Sequence, residues 1–209
     1  MIPSQFFRRS AIAALLGASF GLAAAATTYT PSSGSLTNTN KQGITGFGIS
    51  GGATGDEIDV GEFLDVGFDG PSIVTSFSLG VLYDGPEFGD PHEIASFAAY
   101  LGDRLVASYT FTATGAATGV LTGPGSWINL SPAAQPGAGL WTIGNPFGTL
   151  AVDHVVFTAL DARNGGRGNN SDYILGAIGA TPVPEPGSVA LMLAGLAAMG
   201  FMARRRRAD

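Results

Sequence analysis

From residue 44 onward the apolar side chains of this chain recur at every second position, and clusters carrying glycine or proline interrupt them at short intervals. Leu64, Val66 and Phe68 alternate with Phe63, Asp65 and Gly67; Phe77, Leu79 and Val81 alternate with Ser76, Ser78 and Gly80; Leu105, Ala107, Tyr109 and Phe111 alternate with Val106, Ser108 and Thr110. A period of two places successive side chains on opposite faces of a strand, whereas a helix needs a period near 3.6. Residues 44–50, 94–100, 126–130, 140–143, 152–159 and 173–178 are further short candidates. Together these predict about nine strands. Asp69-Gly70-Pro71, Asp84-Gly85-Pro86, Gly89-Asp90-Pro91, Gly123-Pro124-Gly125 and Asn164-Gly165-Gly166 supply the turns between them. The expectation is an all-β body over residues 44–181, an antiparallel β-sandwich of jelly-roll-like topology. Residues 27–43 are small and polar and read as a flexible lead-in.

Charge limits what this body can bind. Six of the ten basic residues lie at the two chain ends, so residues 27–181 hold 4 basic and 14 acidic side chains. A surface of that sign repels a phosphate backbone, so nucleic acid is not an expected partner. The chain has no cysteine, which removes disulfides, thiolate metal sites and cysteine nucleophiles together.

The ends carry addresses. Residues 1–26 join Arg8 and Arg9 to an apolar run and then to Ala24, Ala25 and Ala26, the pattern of a secretory signal peptide with signal peptidase cleavage before Thr27. No Phe-Leu-Lys follows the two arginines, so general secretion is preferred to twin-arginine export. At the other end, residues 182–187 form a proline-rich linker, residues 188–203 are uncharged, and Arg204, Arg205, Arg206 and Arg207 head the basic tail 204–209. Sixteen residues rise about 24 Å as a helix, short of a hydrocarbon core of about 30 Å. Arginine snorkelling and bilayer thinning nevertheless allow a single transmembrane helix to be expected, with the arginines as a cytoplasmic membrane stop.

Pro184-Glu185-Pro186, one apolar helix and a terminal arginine cluster, in that order, closely resemble the PEP-CTERM sorting signal of Gram-negative bacteria. The resemblance covers about residues 182–207 and implies recognition by an exosortase, a membrane-embedded transpeptidase-like enzyme. It also implies an inner-membrane anchored intermediate, release to the cell surface or beyond, and an association with extracellular polysaccharide and biofilm. The body is similar to a recurrent domain of such proteins through Asp56-Glu57-Ile58-Asp59, Leu82-Tyr83-Asp84-Gly85-Pro86-Glu87-Phe88 and Gly144-Asn145-Pro146-Phe147-Gly148. That likeness brings no catalytic residues with it.

Candidate chemistry inside the body is thin. Gly48-Ile49-Ser50-Gly51-Gly52 has the form of a nucleophile elbow, but a turn-like Ala53-Thr54-Gly55-Asp56 follows where a helix is needed. His92 and His154 are the two available bases, and each reads first as an ordinary loop or sheet residue. Two histidines without cysteine do not make a zinc site of three protein ligands unless a carboxylate joins them. Calcium fits the composition better: Asp56, Glu57 and Asp59 in a glycine-rich loop, completed by Asp172, against the plainer reading of a solvated acidic face. Trp127 and Trp141, with Tyr83 and Tyr100, are candidates to stack on sugar rings, against the plainer reading of core aromatics. Asn129-Leu130-Ser131 and Asn169-Asn170-Ser171 match a glycosylation pattern that carries little weight in a bacterial exporter. The expectation is a non-enzymatic exported protein, structural or adhesive in extracellular polymer. The alternatives are a calcium-assisted carbohydrate-binding module and, third, a secreted hydrolase.

Overall fold

The computed structural model describes residues 25, 27–52, 54–84, 92–131, 139–161, 171–184 and 186–205. The strands are β1 (Thr27–Pro31), β2 (Ser35–Lys41), β3 (Ile44–Ser50), β4 (Asp56–Asp59), β5 (Leu64–Gly80), β6 (Ile94–Leu101), β7 (Arg104–Gly115), β8 (Thr118–Leu121), β9 (Ser126–Asn129), β10 (Leu140–Gly144), β11 (Ala151–Leu160) and β12 (Asp172–Pro182). Among the described residues α1 (Pro186–Arg205) is the one α-helix.

All named strand pairs are antiparallel, as the alternation predicts. Where a sandwich would keep two sheets apart, the twelve strands form one hydrogen-bonded network. The cause is β5, whose 17 residues are long enough to serve two sets of neighbours. Its first half pairs with β1 on one edge and β11 on the other, and its second half pairs with β12 and β10. Following the ladder from β9 through β10, β5, β11, β6 and β7 to β8 leads back to the neighbourhood of β9, which lies near β8 without a ladder between them. The Asn129 side-chain amide donates to the Ala116 carbonyl at 2.8 Å across that seam.

The curl is visible in the aromatic core. The rings of Phe111 on β7 and Trp141 on β10 lie 5.1 Å apart although β6, β11 and β5 separate their strands along the ladder. In a flat sheet four strand spacings would hold them about 19 Å apart. Phe77 meets Phe97 and Phe157 edge to face at 4.9 and 5.0 Å, the geometry that the ring quadrupoles favour.

Four elements depart from expectation. The lead-in is not loose: β1 and β2 lie inside it, paired with β5 and β3. Thr27, Thr28 and Thr30 and the threonines of β2 are β-formers, and the exposed Asn38 and Asn40 beside them are polar side chains that an edge strand accepts. Asp69-Gly70-Pro71 is no turn but the middle of β5. There the ladder changes neighbours, between Thr27↔Phe68 and Pro182↔Ser72 on one edge, so the proline's missing N–H costs only the return bond of the terminal Val183–Pro71 rung. The acidic segment 56–59 is β4 rather than a loop, and β8 was not expected at all. The turn expected at residues 164–166 and most of those at 84–86 and 89–91 lie outside the described residues.

Candidate functional site

The C-terminal segment is built directly onto the sheet. β12 runs in register with β5 from Ile174↔Gly80 to Pro182↔Ser72, interrupted by irregularities before Ile178 and Ala180. One further rung follows, in which the Val183 amide donates to the Pro71 carbonyl at 2.8 Å. Pro182, Val183 and Pro184 are exposed, and Glu185 lies outside the described residues. Pro186 then opens α1, a position where its fixed φ suits the helix and its absent N–H is not missed. The Ala25 amide donates to the Ala180 carbonyl at 3.3 Å, so the chain next to the expected signal-peptide junction also reaches this corner. The rest of the expected signal peptide lies outside the described residues.

α1 turns its apolar side chains to the outside. Leu191, Leu193, Leu196, Met199, Phe201 and Met202 are each more than half exposed, and Arg204 and Arg205 occupy the last turn, where cations complement the helix dipole. Arg206 and Arg207 lie outside the described residues. The expected transmembrane helix needs correction: among the described residues no helix is long and apolar enough to cross a membrane. The helix has 20 residues, but Pro186-Gly187 and Arg204-Arg205 occupy its ends and leave an apolar stretch of about 24 Å.

The carboxylates expected to hold calcium do not fit it. Neighbouring residues of a strand point to opposite faces, so β4 directs Asp56 away from Glu57. Glu57 is buried and ion-paired, with Lys41 Nζ 2.8 Å from its Oε2. Asp59, also buried, accepts from the Thr54 amide at 3.2 Å and the Thr54 hydroxyl at 2.5 Å. Asp172 faces Asp59 in the β12–β4 register. Among the described residues no group of three or more acidic or histidine side chains could hold a metal ion.

The nucleophile-elbow pattern has a packing explanation instead. A Cβ on Gly48 would meet the Asp56 carbonyl oxygen at 2.0 Å, and one on Gly52 would meet Asp59 Oδ2 at 2.0 Å, so both glycines let β4 approach. Ser50 ends β3, and its hydroxyl accepts from the Ser35 amide at 3.2 Å. Neither histidine serves it. The His92 amide, 3.0 Å away, and the His92 Nδ1, 2.8 Å away, both meet Asp84 Oδ1. His154 Nδ1 meets Asp153 Oδ1 at 2.7 Å.

The tryptophans expected to stack on sugars belong to the core. Trp141 is 1% exposed, donates its indole N–H to the Leu82 carbonyl at 2.9 Å, and packs edge to face on half-buried Trp127 at 5.6 Å. Half-buried Tyr83 packs on Ile44, Val81 and Ile174, and Tyr100 stacks on the His154 ring at 4.8 Å.

One polar cluster escaped the sequence reading. A shift of register between Val152 and His154 sets Asp153 at a bulge in β11, where its Oδ2 accepts from the Gly102 amide at 2.5 Å. Desolvation works to raise the Asp153 carboxyl, but that amide and the His154 imidazole hold it below its usual range. Across the ladder, Asp65 has a buried Oδ1 with no hydrogen-bond partner; burial pushes its carboxyl up, against the pull of His154 and with the help of Asp153. Period-two alternation announced a strand here and gave no sign of the bulge.

Residues 182–207 match the PEP-CTERM protein-sorting motif. No curated protein and no solved structure matches the chain.

Proposed function

We propose that this chain is an exported protein whose residues 182–207 are read and processed by an exosortase-type enzyme, and whose β-body is a non-enzymatic structural or adhesive part of the cell envelope or extracellular polymer. The observation that carries the reading is the motif match at residues 182–207. Its physical setting supports it: Pro182, Val183 and Pro184 are exposed, and the helix beyond them displays leucine, methionine and phenylalanine to its surroundings. A helix that is apolar all round is poorly matched to water and well matched to lipid or to a membrane enzyme. Arginines at its end favour anionic headgroups. These features hold the intermediate at the membrane with the tripeptide beside it.

Mass spectrometry of the C-terminal peptide, in hosts with and without an exosortase, tests the proposal. The expected result is loss of the tail ending in Asp209 only where the enzyme is present. Equal persistence of the intact tail in both hosts overturns it.

A further inference from the structure

We infer that processing of the sorting segment is gated by the body itself: the backbone donors through which an enzyme would read this segment as an added strand are already held by β5. The inference rests on the sorting proposal and concerns its regulation.

The register decides which way each amide points. Pro182↔Ser72 together with the Val183-to-Pro71 hydrogen bond makes Pro182 and Ser72 a pair that exchanges no hydrogen bonds. The N–H groups of Thr181 and Val183 therefore point at β5, toward the carbonyls of Ile73 and Pro71. Positions 182 and 184 face the open edge, and both are proline, which has no N–H. The open edge thus offers no donor at either position. An enzyme that binds extended chain by strand addition depends on main-chain hydrogen bonds. To gain a donor between residues 181 and 184 it must take one from the edge that β5 occupies. Only Val183 separates the last residue of β12 from Pro184, so no spacer isolates the tripeptide from the sheet. Strand ends open locally at far lower free energy than the whole fold, and residues 181–183 are such an end. Processing then acts on the state in which these rungs have parted while the rest of β12 stays paired with β5.

The absence of native cysteine allows a clean test. Antiparallel partners bring their Cα atoms about 4.5–5.5 Å apart, within disulfide range, and cysteines at the Thr181↔Ile73 pair add no N–H to the open edge. The full-length Ile73→Cys/Thr181→Cys variant is expressed in an exosortase-bearing host, and loss of the C-terminal peptide is followed by pulse-chase mass spectrometry beside the wild type and each single variant. Once oxidised, the double variant should be processed at least tenfold more slowly than either single variant, and reductant should restore the rate. Equal rates for oxidised and reduced double variant overturn the gate while leaving the sorting proposal standing. A wild-type chain that is never processed overturns both.

Discussion

Lys41, the only lysine in the chain, places its Nζ 2.8 Å from Oε2 of Glu57 and donates to the Thr54 carbonyl at 3.1 Å. The contact joins the edge strand β2 to β4 across β3, and its two partners are unequally buried, with side-chain exposures of 29% and 8%. That asymmetry sets the cost of breaking it. Lys41→Met leaves a carboxylate buried without its cation, whereas Glu57→Gln leaves an ammonium whose flexible stem can reach water. Lys41→Met should destabilise the body by about 2–3 kcal/mol and Glu57→Gln by about 1 kcal/mol, below the range for fully buried pairs because the lysine is partly solvated. Urea unfolding of the two single variants checks the order; equal losses would mean that the pair acts as a surface contact.

Calcium should leave the thermal midpoint of the body unchanged. An ion that binds only the folded state must raise the midpoint by mass action. Glu57 and Asp59 are committed to Lys41 and Thr54, so no ligand set remains on β4 for the ion to organise. Calorimetry in excess calcium and in chelator should give the same midpoint, and a rise of several degrees with calcium would restore the metal reading.

Asp65 and Asp153 should respond to pH in opposite directions. Burial raises the folded-state pKa of Asp65, so ionising it above its unfolded value costs stability, and the cost disappears as pH falls through the raised value. Asp65→Asn should therefore stabilise the body near neutral pH by about 1 kcal/mol, discounted for partial exposure, and the gain should vanish in acid. The folded-state pKa of Asp153 is lowered, so its contribution is present above the unfolded value and lost as pH falls through the folded one. Asp153→Asn should destabilise at neutral pH and converge with wild type at low pH. Thermal melts of the two variants across the acidic range measure both signs.

Trp141→Ala should cost about 3–5 kcal/mol, the range for deleting a large buried aromatic, with a further loss from the unsatisfied Leu82 carbonyl. A residue kept for stacking on sugars would be exposed and nearly neutral to remove. Denaturant titration of the variant distinguishes the two.

The contrast between Trp141 and Lys41 shows what this sequence exposes and what it hides. Apolar alternation names β3 with its observed bounds and finds β6, β7, β9, β10, β11 and β12 to within a few residues at most ends. It fails where a strand is stabilised by something other than its own apolar side chains. β1 and β2 are threonine- and asparagine-rich edges, and β4 is three carboxylates in four residues, of which Glu57 is buried against a lysine sixteen residues upstream. Pro71 reads as a turn because the change of ladder partners that tolerates it is a tertiary fact. The C-terminal site was legible as composition, Pro184-Glu185-Pro186 before an apolar run and arginines. Its attachment to β5 through Val183 was not, since no local pattern specifies which strand receives an amide.

Replacing Pro184, Glu185 and Pro186 by alanine should abolish C-terminal processing and leave export intact. Pro186 now starts α1, and Pro184 forces the residue before it away from helical geometry, which keeps Val183 extended against Pro71. Alanines remove that constraint and have the highest helix propensity, so α1 is free to grow back toward the body. A helical segment satisfies its amides internally and presents no extended backbone to a protease-like cleft. The expected product in an exosortase-bearing host is a membrane-associated chain that still ends at Asp209 and has lost its signal peptide. Serine in place of Arg204, Arg205, Arg206 and Arg207 should instead weaken retention at the membrane, because an apolar stretch of about 24 Å with no cationic end loses its headgroup contacts. Fractionation followed by mass spectrometry separates these two failures, and efficient processing of the triple-alanine chain would show that the tripeptide is not what the enzyme reads.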